Sequence, residues 1–338
     1  MPLFDNFNLN SNIFIMFFYS SLLMAKDILT FLIDNRDTFV SGEYIAKKLG
    51  ITRQAVSKKV NQLKEDGFKI YSKTNKGYRL VSFPDIIVPE FIVLETNFKP
   101  IFHHDSTDST NLQARKHALD GFPERTLIVS EIQTAGRGRM GREWQSPRGG
   151  LWFSFIMRPR CVPSMAPILN FVVANAVAKA MNELYGIEPS MKWPNDIFYG
   201  GKKLCGIGIL VSSDIDLMHY VVIGIGINVN NQLPKDSSFI SISEIIGKET
   251  DRNMLMASIL NKFKDEYTHF ERKEFSTIME YSKQISNTIG NRVRVSFLGV
   301  EKRGKVVDID DTGALILEED DGTVSHILAG DVDFLRHI

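Results

Sequence analysis

The stretch Gly136-Arg-Gly-Arg-Met-Gly-Arg-Glu-Trp-Gln-Ser-Pro147 sets three arginines and a tryptophan among glycines. Its reading decides which kind of mixed α and β fold the chain adopts. Gly136, Gly138 and Gly141 satisfy G-x-G-x-x-G, and the preceding Thr126-Leu-Ile-Val-Ser-Glu-Ile-Gln133 reads as a strand. A dinucleotide loop, however, must open a helix and be followed about 20 residues later by an acid for the ribose. Here Ser146-Pro147-Arg148-Gly149-Gly150 breaks the chain, and no acid lies between Glu143 and Glu183. A P-loop is excluded too, because G-x-x-x-x-G-K-[ST] does not occur. What remains is a flexible loop whose Arg137, Arg139 and Arg142 suit carboxylate and phosphate oxygens, while Trp144 offers a flat face to a base. The alternative is a solvated basic turn with a buried tryptophan, and the flanking sequence decides between the two.

With 338 residues, 43% of them hydrophobic, the chain has room for two or three ordinary globular cores. Forty basic and forty acidic residues cancel, so only the distribution of charge is informative. Cys161 and Cys205 are too few for a disulfide framework or a thiolate zinc site, and a reducing cytoplasm is the simplest location. The seven histidines show no H-E-x-x-H spacing, and His103-His104 reads as a strand-end pair rather than a metal site. Ile13 to Met24 is apolar but shorter than the roughly 20 residues of a spanning helix. It also lacks the basic start and small-residue cleavage site of a signal peptide. The preferred expectation is that translation starts at Met24 and residues 1–23 are an over-extended reading; a packed extra helix and a membrane anchor are the alternatives.

Ser41 to Leu80 holds ten Lys and Arg against three Asp and Glu. Ile28 to Ile33 marks a first helix, Ser41 caps a second that ends at Gly50, and Thr52 caps a third with Val56, Val60 and Leu63 on one face. The opposite face carries Arg53, Gln54, Ser57, Lys58 and Asn61, types that reach base edges and phosphates in a major groove. Phe68 to Leu80 alternates as a hairpin around Thr74-Asn-Lys-Gly77 and reads as a wing. The expectation is a winged helix-turn-helix, with Gly42 to Asn61 as the DNA-binding segment; the alternative is a small domain kept for packing or dimerisation. Phe83-Pro84 to Pro89 reads as a linker.

From Phe91 to about Asn287 strands and helices mix, which gives an α+β domain. Ser109 or Thr110 starts a helix through Leu112, Ala114, Ala118 and Leu119, where hydroxyls and free amides bind a polar ligand or merely cap. Leu151 to Met157 is a buried strand, and Met165 to Tyr185 a core helix. Lys192-Trp-Pro-Asn-Asp196 forms a rigid turn, Gly200-Gly201 closes a hairpin, and Tyr220 to Val229 is a buried strand whose glycines permit close approach of a ligand or a backbone. Asn291 to Phe297 and short strands at 305–309, 314–318, 324–328 and 332–335 read as a small β-barrel.

Taken in order, Asp108-Ser-Thr-Asn, Gln133-Thr-Ala-Gly-Arg-Gly-Arg-Met-Gly-Arg-Glu-Trp, Lys192-Trp-Pro-Asn-Asp, Lys203-Leu-Cys-Gly-Ile and Gly224-Ile-Gly-Ile-Asn resemble the biotin protein ligases. With the winged helix in front, the resemblance is to the bifunctional form that also represses the biotin operon, and it covers Met24 to Arg336. It implies a winged helix-turn-helix at 24–83, a mixed-sheet catalytic domain of the biotin/lipoate ligase type at 84–287 and an SH3-like β-barrel at 288–338. It further implies biotin and MgATP as substrates, biotinyl-adenylate as intermediate, and a lysine of a biotin carboxyl carrier protein as acceptor. Operator DNA and a homodimer of the adenylate-bound form follow from the same resemblance.

Carried to matching positions, Ser109, Thr110, Asn111, Gln133, Arg137, Gly138, Arg139 and Lys203 would surround biotin. Lys203, Arg137 and Arg139 would neutralise the two anions that meet. Arg142, Trp144, Asn195, Asp196 and Arg336 would serve the nucleotide. Asp196 would hold Mg²⁺ or orient the attacking amine, or else only cap its turn. Two departures stand out: a position usually Glu falls on Leu210, and Met140 stands where a further arginine can occur. Two other readings compete, a sensor that binds biotin without transferring it and a lipoate ligase. Lys203 and the three loop arginines argue against the first, and the intact loop with the winged helix argues against the second.

Overall fold

A computed structural model describes residues 28–335, so the Ile13 to Met24 segment, the start at Met24 and Arg336 lie outside the described residues. The chain divides after Pro84 into two compact units.

In the first unit, helices occupy Ile28–Asp34, Gly42–Leu49 and Arg53–Glu65. Ser41 Oγ accepts from the Tyr44 amide and Thr52 Oγ1 from the Ala55 amide, so both serines-and-threonines expected as caps act as such. Gly50 closes the second helix at φ 68°. Val56, Val60 and Leu63 are buried while Arg53, Gln54, Lys58 and Asn61 stay exposed and Ser57 is half-buried. Strands β1 (Lys69–Lys73) and β2 (Gly77–Ser82) form the antiparallel wing. Gly77 is required there: at φ 99° a Cβ would come within 1.9 Å of the Val40 carbonyl oxygen.

The second unit holds a seven-stranded mixed sheet of β3 (Ile101–Thr107), β4 (Leu127–Gln133), β5 (Leu151–Met157), β6 (Ser190–Lys192), β7 (Asp196–Tyr199), β8 (Lys202–Ser213) and β9 (Met218–Ile227). The order is β3-β4-β5-β9-β8-β7-β6, parallel only between β3 and β4. Every residue of β5 is buried, because helices cover both faces. On one face Ile156 packs with Ala114 and Ala118 of helix Thr110–Leu119. On the other, Phe155 meets Phe98 and Phe263 of helix Arg252–Glu271, which lies against the core helix Ala166–Tyr185. The segment Pro163–Tyr185 is long and apolar enough for a membrane span, yet 67% of its most apolar 18-residue stretch is buried inside the protein.

The proline-marked segment read as a linker is anchored instead. Asp85 Oδ1 accepts from Arg252 Nε at 2.5 Å, Ile87 N–H donates to Glu131 Oε1 at 2.9 Å, and Val88 N–H donates to Asn253 Oδ1 at 2.7 Å. Pro89 then opens a helix, Pro89–Thr96. The partners are remote in sequence, so only composition was visible. His103 and His104 lie within β3 rather than at a strand end, with His103 Nε2 2.9 Å from buried Glu131.

The same unit carries a five-stranded antiparallel sheet of β10 (Arg292–Phe297), β11 (Val300–Ile309), β12 (Leu315–Glu319), β13 (Val324–Ile327) and β14 (Asp331–Phe334), ordered β13-β12-β11-β10-β14. Strand β11 starts five residues earlier than the sequence suggested, at 300 against 305, because Leu298 and Gly299 form a tight turn with positive φ. Trp193 Nε1 donates to the Gly313 carbonyl at 3.0 Å, which joins this sheet to the turn before β7.

Candidate functional site

Four glycines in register make the floor of the site. Gly206 pairs with Gly226 and Gly208 with Gly224 across β8 and β9, while the intervening Ile207 and Ile225 point into the core. Side chains alternate between faces along a strand, so two Gly-Ile-Gly segments in register leave a bare trough. Two side chains lie in it. A Cβ on Gly224 would come 2.1 Å from Asn111 Oδ1, and one on Gly226 would come 2.6 Å from Trp144 Nε1.

One wall is the start of helix Thr110–Leu119. Ser109 is its N-cap, but its hydroxyl makes no capping bond. Gln133 Oε1 accepts from the Thr110 amide at 2.8 Å and its Nε2 donates to Ser146 Oγ at 2.8 Å. Ser154 Oγ lies 2.7 Å from Thr110 Oγ1 and 2.8 Å from Asn111 Oδ1. Ser146 and Ser154, which fix the orientation of Gln133 and Asn111, carried no signal in the sequence.

The glycine-arginine loop is a hydrogen-bonded ribbon rather than a loose segment. Gln133 bridges Ser146 and Arg137 bridges Glu143, and the Gly138 amide donates to the Arg142 carbonyl at 2.7 Å. Met140 turns the tip at φ 54° and is exposed, while Arg142 Nη2 lies 3.9 Å from its sulfur. Among the described residues Arg137 makes no side-chain hydrogen bond or ion pair. Arg139 Nη1 donates to Asn195 Oδ1 at 3.1 Å, and Asn195 Nδ2 donates to the Ile207 carbonyl at 2.5 Å.

Trp144 stands with its indole against Gly206 and Gly226, edge-on to Trp152 and Phe239 at 6.4 and 5.9 Å. Its Nε1 is buried without a hydrogen-bond partner. Lys203 Nζ lies 5.1 Å from the Trp144 ring centre and donates to Asp196 Oδ2 at 2.7 Å. Phe239 comes from a polar loop docked on Lys203 through backbone bonds, a placement that sequence could not give.

These groups enclose a cavity of about 380 Å³. It gathers Ser109, Thr110, Asn111, Gln133, Arg137, Gly138, Arg139, Arg142, Trp144, Asn195, Asp196 and Lys203, all singled out from the sequence. It adds Phe239 and the Asp331 to Asp333 segment of β14, which were not, and Lys192, which was named only as the start of its motif and given no role. Lys192 has its pKa lowered by burial, against the opposing pull of Asp196 and Asp333, and its ammonium lies 5.8 and 5.3 Å from the rings of Phe198 and Phe334. Leu210 continues the trough-side row of β8 and is exposed where the sequence pattern anticipated Glu. Five cations face four carboxylates here (Arg137, Arg139, Arg142, Lys192 and Lys203 against Glu143, Asp196, Asp331 and Asp333), a setting that suits an anionic ligand.

Comparison with known proteins identifies the family. Residues 104–228 match the Biotin/lipoate A/B protein ligase family, residues 25–79 an HTH domain and residues 288–335 the Biotin protein ligase C terminal domain. The chain is 34% identical over 320 residues to the bifunctional ligase/repressor BirA of Bacillus subtilis, covering 92% of this chain and 98% of that protein. It is 28% identical over 302 residues to BirA of Escherichia coli, covering 87% and 92%. The biotin protein ligase of Aquifex aeolicus, solved in complex with biotin and ATP, superposes with a TM-score of 0.62 at 28% identity, over 71% of this chain and all of that one. With a relative above 30% identity along almost its whole length and three domain matches in order, the chain belongs to the biotin/lipoate A/B protein ligase family and, within it, to the bifunctional ligase/repressors.

Proposed function

We propose that this chain activates biotin with ATP and transfers it to a lysine of a biotin carboxyl carrier protein, and that its winged helix binds operator DNA to repress biotin genes. The observation that carries the reading is the cavity in which Lys203, Arg137 and Arg139 converge beside a glycine trough. In the first step the biotin carboxylate attacks the α-phosphorus, the bond to the β-phosphate oxygen breaks, and pyrophosphate leaves. In the second the acceptor amine attacks the biotinyl carbonyl, AMP departs, and the amine loses a proton. No protein nucleophile is required. Catalysis consists of bringing two anions together and stabilising their charge.

On this reading Ser109, Thr110, Asn111 and Gln133 hold the biotin ring, and Gly224 and Gly226 make room for the Asn111 and Trp144 side chains beside it. Lys203 takes the carboxylate and the α-phosphate, Arg137 and Arg139 close over them, and Arg142, Asn195 and Trp144 serve the nucleotide. Trp144 Nε1 is a buried donor without a partner on a residue that lines the cavity, and such a donor suits an acceptor nitrogen of a base.

Among the described residues no three His, Cys, Asp or Glu side chains converge on a metal site. We read Mg²⁺ as arriving with the triphosphate, with Asp196 as the carboxylate available to it once Lys203 turns to the phosphate. Arg336 as a nucleotide contact, a homodimer of the adenylate-bound form and a cytoplasmic location complete the proposal.

The test is transfer. The purified protein, MgATP, biotin and a biotin carboxyl carrier domain should give an acceptor heavier by one biotin on its modified lysine. Biotin binding with no such product would leave the protein a sensor.

A further inference from the structure

The five-stranded sheet reaches the arginine loop through two consecutive residues. The Gly330 carbonyl accepts from Arg139 Nη2 at 3.1 Å. The Asp331 carboxylate pairs with Arg142 Nη2 through one oxygen and lies 4.0 Å from Arg139 Nη1 through the other. Asp331 opens β14 opposite Ser296 and stands on the cavity wall. Asn195 holds Arg139 from a third direction. One carboxylate therefore meets the charge of two loop arginines, while the third, Arg137, has no such partner.

A carboxylate and a phosphate present similar pairs of oxygens to a guanidinium fork, and Arg binds either in the same geometry. The pair is also open to exchange: the side chains of Asp331 and Arg142 are 31% and 61% exposed, and an ion pair so wetted is weak. A polyphosphate with several charges outcompetes a single carboxylate for the same guanidinium groups.

We propose that Asp331 stands in for phosphate, holding Arg142 and Arg139 over the cavity until the triphosphate of the nucleotide displaces it. Asp331 is then a positioning residue, and the C-terminal sheet sets the loop for adenylation. The inference rests on the nucleotide-binding function proposed above.

The loop arginines are themselves trypsin sites, which makes the contact readable in the full-length protein. First-cut cleavage in the ligand-free protein should be slower after Arg139 and Arg142 than after Arg137. In Asp331→Asn, cleavage after Arg139 and Arg142 should rise about fivefold, the scale of one partly exposed ion pair, with the rate after Arg137 changed by less than about twofold. Asp331→Glu should restore the original pattern. Sodium pyrophosphate alone should protect Arg139 and Arg142 again in Asp331→Asn.

In biotin-dependent pyrophosphate exchange, Asp331→Asn should lower the KM for ATP and leave that for biotin within about twofold, because ATP no longer has an ion pair to displace. An unchanged cleavage pattern, a failure of pyrophosphate to protect, or a raised KM for ATP each overturns the proposal; the last would make Asp331 a simple prop. If the unaltered protein shows no exchange at all, the ligase reading fails, while the cleavage and pyrophosphate measurements still decide the role of Asp331.

Discussion

The ammonium of Lys203 is shared between the Asp196 carboxylate, 2.7 Å away, and the face of Trp144, whose ring centre is 5.1 Å away. A lysine held in this way is paired but not fully buried, with 23% of its side chain exposed. It can turn to an incoming anion at the cost of one accessible ion pair, a small cost in a wet site.

Lys203→Ala should therefore lower the rate of biotin adenylation by about 10²–10³-fold, the scale for removing one preorganised charge-stabilising donor. The melting temperature should hardly move, because the side chain contributes little to the core. Exchange kinetics beside a melting curve check both halves, and a variant of equal activity removes Lys203 from the chemistry.

The glycine trough gives a steric prediction. In Gly224→Ala the new methyl would lie 2.1 Å from Asn111 Oδ1, so Asn111 has to leave its place against Ser154. Overpacking of this kind costs about 1–3 kcal/mol. The KM for biotin should rise more than that for ATP. A variant with native KM for biotin would show that Asn111 does not set that part of the site.

The buried network around Glu131 in the second unit titrates. Burial alone would raise the Glu131 carboxyl, but the hydrogen bond from His103 and the charge of Arg252 more than offset it and hold it at about 2. A folded-state pKa below the unfolded value means that the stabilisation is complete above about pH 4.5 and is lost as pH falls from there toward 2. Denaturant midpoints followed across that window should fall with acid, and Glu131→Gln should flatten the fall. Arg252→Met, which leaves Glu131 and Asp85 without their cation, should cost about 3–5 kcal/mol at neutral pH.

DNA binding by the first unit should weaken steeply as salt rises, because Lys and Arg release counterions from phosphates. Arg53→Ala with Lys58→Ala should reduce the slope of log affinity against log salt by about 2, near 0.9 for each lost phosphate contact. Band-shift titrations with operator DNA over a salt series measure it, and a flat response in the unaltered protein would make the winged helix a packing module.

Much of this was legible because local chemistry fixed it. Ser41 and Thr52 announced helix starts, Thr74 to Gly77 the wing, and Leu151 to Met157, apolar except for Ser154, a buried strand. The arginine loop was recognisable from composition, and the glycines of Tyr220 to Val229 as places of close approach, though their register with Gly206 and Gly208 was not. What stayed hidden depends on contacts between remote positions. Asp331 looks like any acid in a turn until β14 lays it on Arg142, and Phe239 lies in a polar stretch with no periodicity. Asp85 to Pro89 carries linker punctuation, yet Glu131, Arg252 and Asn253 pin it. Ser146 and Ser154 are ordinary serines until Gln133 and Asn111 are beside them. In each case side chains brought together by the sheet override a local signal.

ATP–pyrophosphate exchange by the purified protein, run with biotin, with lipoate and with neither acid, addresses the central claim most directly. The account predicts exchange with biotin alone, lost in Lys203→Ala. Exchange with lipoate but not biotin, or none with either acid in a protein that still binds biotin, would contradict it.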